Sequence, residues 1–388
     1  MTETAEIIMR LIGSEVCGNT LSMPKGVVVT DELLSQIFEL TRAHDVAHLI
    51  GSALMNNNLL LGSAFESAFR EQVYNAVLKS EKQSFAFEKI CKAFEAEKIP
   101  YIPLKGAVIR ELYPEPWMRT SCDIDILIHK EDLKKASEML SDSLGFIQKN
   151  EGRHDVSFVN DENICVELHF SLIEKEKSDS SAKILDKIWD YSTPAQNGGC
   201  RYKISDEMLY FYHIAHMAKH FENGGCGVRP FIDLWLMENS KNYNTDETAK
   251  LLKEGRLLKF AEYAKKLSEV WFSQREHNEI TLLMEEFVLD GGCFGSVKTR
   301  TASAEQNNGG KGKYVLSRVF VPYDFLKSQY PILKRYKILT PIFEIYRLFA
   351  LAFGNKKNFR KRYMNNLKNI PDESTKKTAL LFESLGLK

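Results

Sequence analysis

The sequence predicts an α+β fold, a small mixed β-sheet flanked by helical domains. Three observations predict it. Apolar residues recur at three- and four-residue spacing over the first hundred residues. Nearly all of the alternating, strand-like pattern falls in one stretch, roughly 99–175. The helical period then returns after about residue 180. The chain therefore divides into an N-terminal helical region (1–98), a β-rich core (99–175), a helical domain (176–298), and a polar linker with a basic helical region (299–388). A chain of 388 residues has room for two or three domains.

Taken in order, helices are expected around 7–11, 33–40 and 46–54, and then over 64–97, which lacks Pro and Gly. Pro24-Lys25-Gly26 and residues 56–62 supply breaks. The pattern changes at Ile99. Residues 99–106, IPYIPLKG, form a short extended run, and 107–113 has room for two helical turns. Residues 123–129 alternate as a strand, 131–143 read as a helix, and 145–148 as a short strand. A hairpin follows, with 154–159 and 164–170 joined by the turn residues 160–163. Further helices are expected at 205–221, 230–238, 246–254, 258–271 and 273–289. Residues 299–313, TRTASAEQNNGGKGK, are polar and Gly-rich and read as a linker. The last segment interleaves aromatic and basic residues in helical patches punctuated by Pro322, Pro331 and Pro341.

Composition narrows the class of function. The 52 basic and 52 acidic residues balance, which argues against a dedicated nucleic-acid coat. The balance hides an asymmetry: 311–368 holds 14 Lys/Arg against two acids, Asp324 and Glu344, a local net of +12. Seven scattered cysteines without a CxxC pair fit a reducing cytoplasm and argue against a structural zinc site. The N-terminus opens with acids, so no signal peptide is expected. The most apolar stretch, 338–353, is broken by Pro341, Glu344 and Arg347, and no transmembrane helix is expected.

The chemistry concentrates at 104–128, LKGAVIRELYPEPWMRTSCDIDILI. On a strand, residues i and i+2 share a face, so Asp123 and Asp125 point one way while Ile124, Ile126 and Ile128 pack behind them. Paired carboxylates repel unless a cation lies between them, which makes the pair a candidate Mg²⁺ site; alone it reads more readily as a solvated strand start. Glu167 strengthens the metal reading. It shares a face with Cys165 and His169 on the strand 164–170, whose other face is Ile164, Val166, Leu168 and Phe170. A mid-strand Glu is costly unless paired or metal-bound. Upstream, Lys105-Gly106 leads from a strand into a short helix, a geometry that turns backbone N–H groups toward a phosphate. Lys105 and Arg119 bring charge to neutralise it.

The order strand, Lys-Gly, helix, Arg119, Asp123-Ile-Asp125, and a later strand with Glu167 resembles the DNA polymerase beta-type nucleotidyltransferase superfamily. Within it, the 104–128 stretch looks like the uncharacterised nucleotidyltransferases often associated with bacterial polysaccharide gene clusters. It is also similar to abortive-infection nucleotidyltransferase toxins. His213-Ile-Ala-His216-Met-Ala-Lys-His220, Arg229-Pro-Phe-Ile-Asp233, and the late Pro322…Pro331…Pro341…Arg347 pattern extend the first resemblance over roughly 30–350. The resemblance implies transfer of an NMP from an NTP such as ATP to an acceptor hydroxyl, using two Mg²⁺ ions. Asp123, Asp125 and Glu167 would be the metal ligands and catalytic carboxylates. Lys105, Gly106, Ala107 and Arg119 would hold the nucleotide. A sugar or polysaccharide precursor is the acceptor that the association implies. Two departures stand out: Ala107 replaces the Gly or Ser that usually follows the glycine, and the spacer from Gly106 to Asp123 is longer than usual.

Substrate contacts are expected from His169, His216, His220, Arg229 and Asp233. His213, His216 and His220 share one helical face, which also suits a structural role, and Arg229 and Asp233 at i, i+4 also suit a simple helix ion pair. The basic C-terminal region, with Lys356-Lys357 and Arg360-Lys361-Arg362, suits nucleic acid, an anionic membrane surface, or packing on the acidic remainder of the chain. The rival functions are a toxin that modifies RNA or protein, a DxD glycosyltransferase, and a degenerate nucleotide-binding scaffold.

Overall fold

The computed structural model describes residues 2–172, 180–240, 243–273, 275–307, 309, 313, 320–321, 323–353 and 372–387. Four helices open the chain: α1 (Glu3–Val16), α2 (Asp31–Ala43), α3 (Ala47–Asn56) and the long α4 (Glu66–Ala96). Side-chain oxygens of Thr2 and Thr30 accept from Ala5 and Leu33 N–H groups and start the first two. The β-rich stretch follows as β1 (Tyr101–Pro103), α5 (Lys105–Ile109), β2 (Asp123–Ile128), α6 (Leu133–Glu138), β3 (Ile147–Glu151), β4 (Asp155–Val159) and β5 (Cys165–His169). These strands form one mixed sheet in the order β1-β2-β5-β4-β3, in which only β2 and β5 run parallel. The fold is α+β, as the periodicities predict.

The sheet has two unlike faces because its strands alternate. Ile124, Ile126, Ile128, Val166 and Leu168 join Ile90 and Phe94 of α4 and Leu140 in one apolar core. Asp123, Asp125, Glu167 and His169 have the opposite parity and face the other side. There the chain returns through α7 (Ser180–Leu185), a small hairpin of β6 (Ser192–Pro194) and β7 (Tyr202–Ile204), and then α8 (Asp206–Glu222). Ser205 caps α8, its side chain accepting from the Met208 N–H. Next come α9 (Arg229–Ser240), α10 (Thr245–Glu254), α11 (Leu258–Ser273), α12 (Glu279–Gly291) and α13 (Val297–Asn307). A second apolar core joins α1, α3, α8, α9, α11 and α12 with Leu381, Phe382 and Leu385 near the C-terminus. The first and last parts of the chain thus share one interior.

Two expectations are corrected. The linker expected at 299–313 is helical to Asn307, as α13, with Thr299, Thr301, Ala302, Ser303 and Glu305 buried. Four of these buried side chains, Thr299, Thr301, Ala302 and Ser303, are small, so the helix comes in close to a glycine turn. A Cβ on Gly224, whose φ is +102°, would lie 2.6 Å from Arg300 Cα. The helix expected at 273–289 starts at Glu279, where Asn278 and Thr281 form a reciprocal capping box. The tract 356–362 lies outside the described residues.

The buried His44, at the end of α2, donates from Nε2 to Leu289 O at 3.3 Å, and burial pushes its pKa down to about 4. Below the ordinary histidine value of about 6.5 the unfolded chain takes a proton that the folded chain refuses. Stability therefore falls as pH drops from about 6.5 to about 4, by up to about 3 kcal/mol from this group. His44→Asn should flatten that part of the dependence. Urea midpoints measured at pH 7 and pH 4.5 check it, and equal losses in variant and parent would refute it.

Candidate active site

The parallel pairing of β2 with β5 sets Asp125 opposite Glu167, and Asp123 opposite Cys165. His169, one pleat beyond Glu167, donates from Nε2 to Asp125 Oδ1 at 2.9 Å and lies 3.5 Å from Glu167 Oε2. One potential ligand atom each from Asp125, Glu167 and His169 falls within 4.8 Å of the others. This group takes in His169, which the sequence suggested as a substrate contact, whereas Asp123 lies outside it on the same strand face. The His169 ring also stacks near-parallel on His154, with centroids 6.2 Å apart.

The electrostatics record a crowding of negative charge. Burial first, then Asp125, raises the Asp123 carboxyl above its ordinary range. Burial, Asp123 and Asp125 together push Glu167 up to about 7. Asp125 is the exception: burial would raise it too, but the His169 hydrogen bond and the Lys105 charge hold it below the usual range. The Lys105 ammonium sits 5.2 Å over the Tyr212 ring, and burial lowers its pKa to about 8 against the pull of Asp125.

Lys105 arrives there through the backbone. The Leu104 N–H donates to Asp125 O at 3.0 Å, so the Lys-Gly turn is tied to the aspartate strand. The helix begins at Lys105, two residues earlier than expected, and α5 is only five residues long. Gly106 is buried, and a Cβ there would stand 3.5 Å from Ser121 Cβ and 3.6 Å from Arg119 Nη1. Ala107 is half-buried and is not among the cavity-lining residues.

Arg119 and Asp233 are buried together. Arg119 donates from Nε and Nη2 to the two Asp233 carboxylate oxygens at 2.9 and 2.8 Å, and Tyr113 OH donates to Oδ1 at 2.7 Å. Burial works to raise the Asp233 pKa, and the Arg119 charge and hydrogen bonds overcome it and lower the pKa. The i, i+4 pairing of Arg229 with Asp233 is therefore corrected. Arg229 reaches across instead, from Nη1 to Asp45 Oδ2 at 2.7 Å and to Thr120 O at 2.9 Å. Helix α9 thus grips residues 119 and 120 from two points, and the long spacer before Asp123 is clamped rather than loose.

Between the sheet and α8 lies a cavity of about 830 Å³, which Lys105, Gly106, Arg119, Asp123, Asp125 and Glu167 line on one side. Its volume suits a nucleotide-sized ligand. Helix α8 brings Tyr212, His213, His216, Lys219 and His220 to the other side. His213 is spent structurally, its Nε2 lying 2.9 Å from Pro230 O. The His216 and His220 Nε2 atoms are 3.0 Å apart, so one ring donates to the other. Tyr212, Ser121 and His154 belong to this site but were missed in the sequence. Aromatic and hydroxyl residues carry no local signal that separates a cavity wall from an ordinary core.

The acidic pair, the lysine and the α8 side of the cavity all fall within residues 31–273, which match the family model for an uncharacterised nucleotidyltransferase. No curated protein and no solved structure matches the chain. The matched span is well over half of the chain, and on it the protein belongs to the uncharacterised nucleotidyltransferase family.

Proposed function

We propose that this chain transfers a nucleoside monophosphate from a nucleoside triphosphate to an acceptor hydroxyl, with divalent metal held by Asp123, Asp125 and Glu167. The observation that carries this reading is the register of β2 on β5, which sets Glu167 beside Asp125 in the cavity that also receives Lys105. The donor set fits a hard divalent cation such as Mg²⁺. Asp125 and Glu167 bring carboxylate oxygens together beside His169, Asp123 lies on the same strand face, and the neighbouring carboxylates add to burial in raising the Asp123 and Glu167 pKa values. Two such ions, when bound, lower the pKa of the acceptor hydroxyl and neutralise the leaving pyrophosphate.

The chain's own residues do the rest. His169 holds Asp125 in one orientation through its hydrogen bond. Lys105 and the Nη1 edge of Arg119 face the triphosphate beside Gly106. Glu167 completes the cation's shell or accepts the acceptor's proton. The acceptor oxygen bonds to the α-phosphorus as the bond to the bridging oxygen of the leaving pyrophosphate breaks. His216 and His220 line the wall where an acceptor would rest. A sugar or polysaccharide precursor is the acceptor class we favour, from the family association.

The chain, incubated with Mg²⁺, each of the four NTPs and a cell extract, should release pyrophosphate and leave an NMP on a small hydroxyl compound, read by mass spectrometry. An NMP on RNA or protein would replace the acceptor assignment with a toxin-like one. Sugar transfer without pyrophosphate would sink the reading. A second expectation concerns Gly106. The space at its Cβ position is ordinary, so Gly106→Ala should melt like the parent, yet its methyl group stands at the phosphate corner. NTP binding by calorimetry should weaken about tenfold or more. Unchanged affinity would remove the turn from the phosphate site.

A further inference from the structure

The helix Thr340–Phe353 is amphipathic the wrong way round for a helix of a water-soluble surface. Its polar pair is inside: Arg347 is 8 % exposed and bonds Glu344 at 3.1 Å, and Glu344 also accepts from the Val321 N–H at 2.8 Å. Phe343 turns the same way, against the Tyr330 ring at 4.9 Å. Outside stand Ile342, Ile345 and Tyr346, 60 %, 56 % and 61 % exposed, with Phe349 on the same face. The spacing i, i+3, i+4, i+7 makes them one continuous stripe. Ile338, one turn earlier, is 87 % exposed. A helix normally turns such a stripe toward its own core.

The surroundings state what the stripe meets. Lys334, Arg335 and Lys337 are exposed at the end of the stripe near Ile338. We propose that this face is a docking surface for an anionic lipid bilayer, with the isoleucines in the acyl boundary and the lysines on the headgroups. The helix is 14 residues long and no helix among the described residues is long and apolar enough to cross a membrane, so it lies in the interface. Tyr346 and Phe349 have faces on which bases can stack, but Ile338, Ile342 and Ile345 do not, and burying those isoleucines favours an acyl boundary over a single-strand nucleic-acid platform. A two-fold contact between copies would bring the same cations together around the same patch, so like charge opposes a second copy as the occupant. The surface serves location rather than chemistry, and it stands whether or not the nucleotidyl-transfer reading does.

The test is co-sedimentation of the full chain with vesicles of phosphatidylcholine alone and of phosphatidylcholine mixed with phosphatidylglycerol. Binding is expected to the anionic vesicles, about tenfold or more above the neutral ones, and to weaken with salt. Ile342→Asp with Ile345→Asp should reduce it about tenfold or more, as should Lys334→Glu with Lys337→Glu. Both pairs are exposed, and circular dichroism matching the parent verifies that each variant folds. No binding to either vesicle overturns the proposal, as does equal binding to both. Sedimentation velocity showing a dimer that Ile342→Asp dissolves would assign the face to a second copy and overturn it. So would a gel shift with single-stranded RNA that the lysine variant abolishes and the isoleucine variant leaves intact.

Discussion

Asp125→Asn is expected to reduce nucleotidyl transfer by on the order of 10³-fold while the protein stays folded, a loss of about 4 kcal/mol of transition-state stabilisation. Asp125 is where the site's interactions meet. It faces Glu167 across the strand pair, accepts from His169 at 2.9 Å, and is the foremost charge acting against the lowering of the Lys105 pKa. An asparagine keeps the shape but removes the charge that a cation and Lys105 both answer. One carboxylate fewer also eases the repulsion recorded at Asp123 and Glu167, so the melting temperature should change little. The measurement is pyrophosphate release from each NTP beside calorimetric titration of Mg²⁺-NTP. Activity within threefold of the parent, in a folded variant, would remove Asp125 from the chemistry and with it the metal site.

Asp233→Ala is expected to lower folding stability by about 3–5 kcal/mol, because it strands a buried guanidinium. Arg119 is 7 % exposed and Asp233 1 %, and both oxygens of the carboxylate are taken by Arg119. The Tyr113 hydroxyl loses its acceptor as well. Denaturant midpoints read the loss. Replacing both partners, Arg119→Met with Asp233→Leu, should recover much of the stability, since no unpaired charge is left inside, yet transfer should stay low without the Arg119 edge. If Asp233→Ala melted like the parent and changed only substrate affinity, Asp233 would be a substrate contact and not the anchor of Arg119.

The parts of the fold legible in the sequence are those fixed by local period. The alternation at 123–129 and 164–170 gave two strands and the parity of Asp123, Asp125 and Glu167, and β2 and β5 are neighbours in a register that sets Asp125 against Glu167. The helical period at 205–221 marked α8, which runs Asp206–Glu222. The family resemblance placed the Lys-Gly turn before the aspartates, and the Leu104 to Asp125 backbone bond joins them. Polarity misled at 299–307, where small side chains make a tightly packed helix.

What the sequence determined by itself is the class of fold, the family and the faces on which the acidic residues lie, because strand and helix periods are written in neighbouring residues. Partnership was decided by the tertiary structure alone. Asp233 has a cation four positions away in Arg229 and takes another 114 residues away in Arg119, while Arg229 turns to Asp45 and Thr120. His169 joins Asp125 across the sheet, and the stripe at 342–349 turns outward rather than into a core. An exposed i, i+4 ion pair is worth only a few tenths of a kcal/mol, and a buried bidentate pair holds far more, so the long-range arrangement prevails.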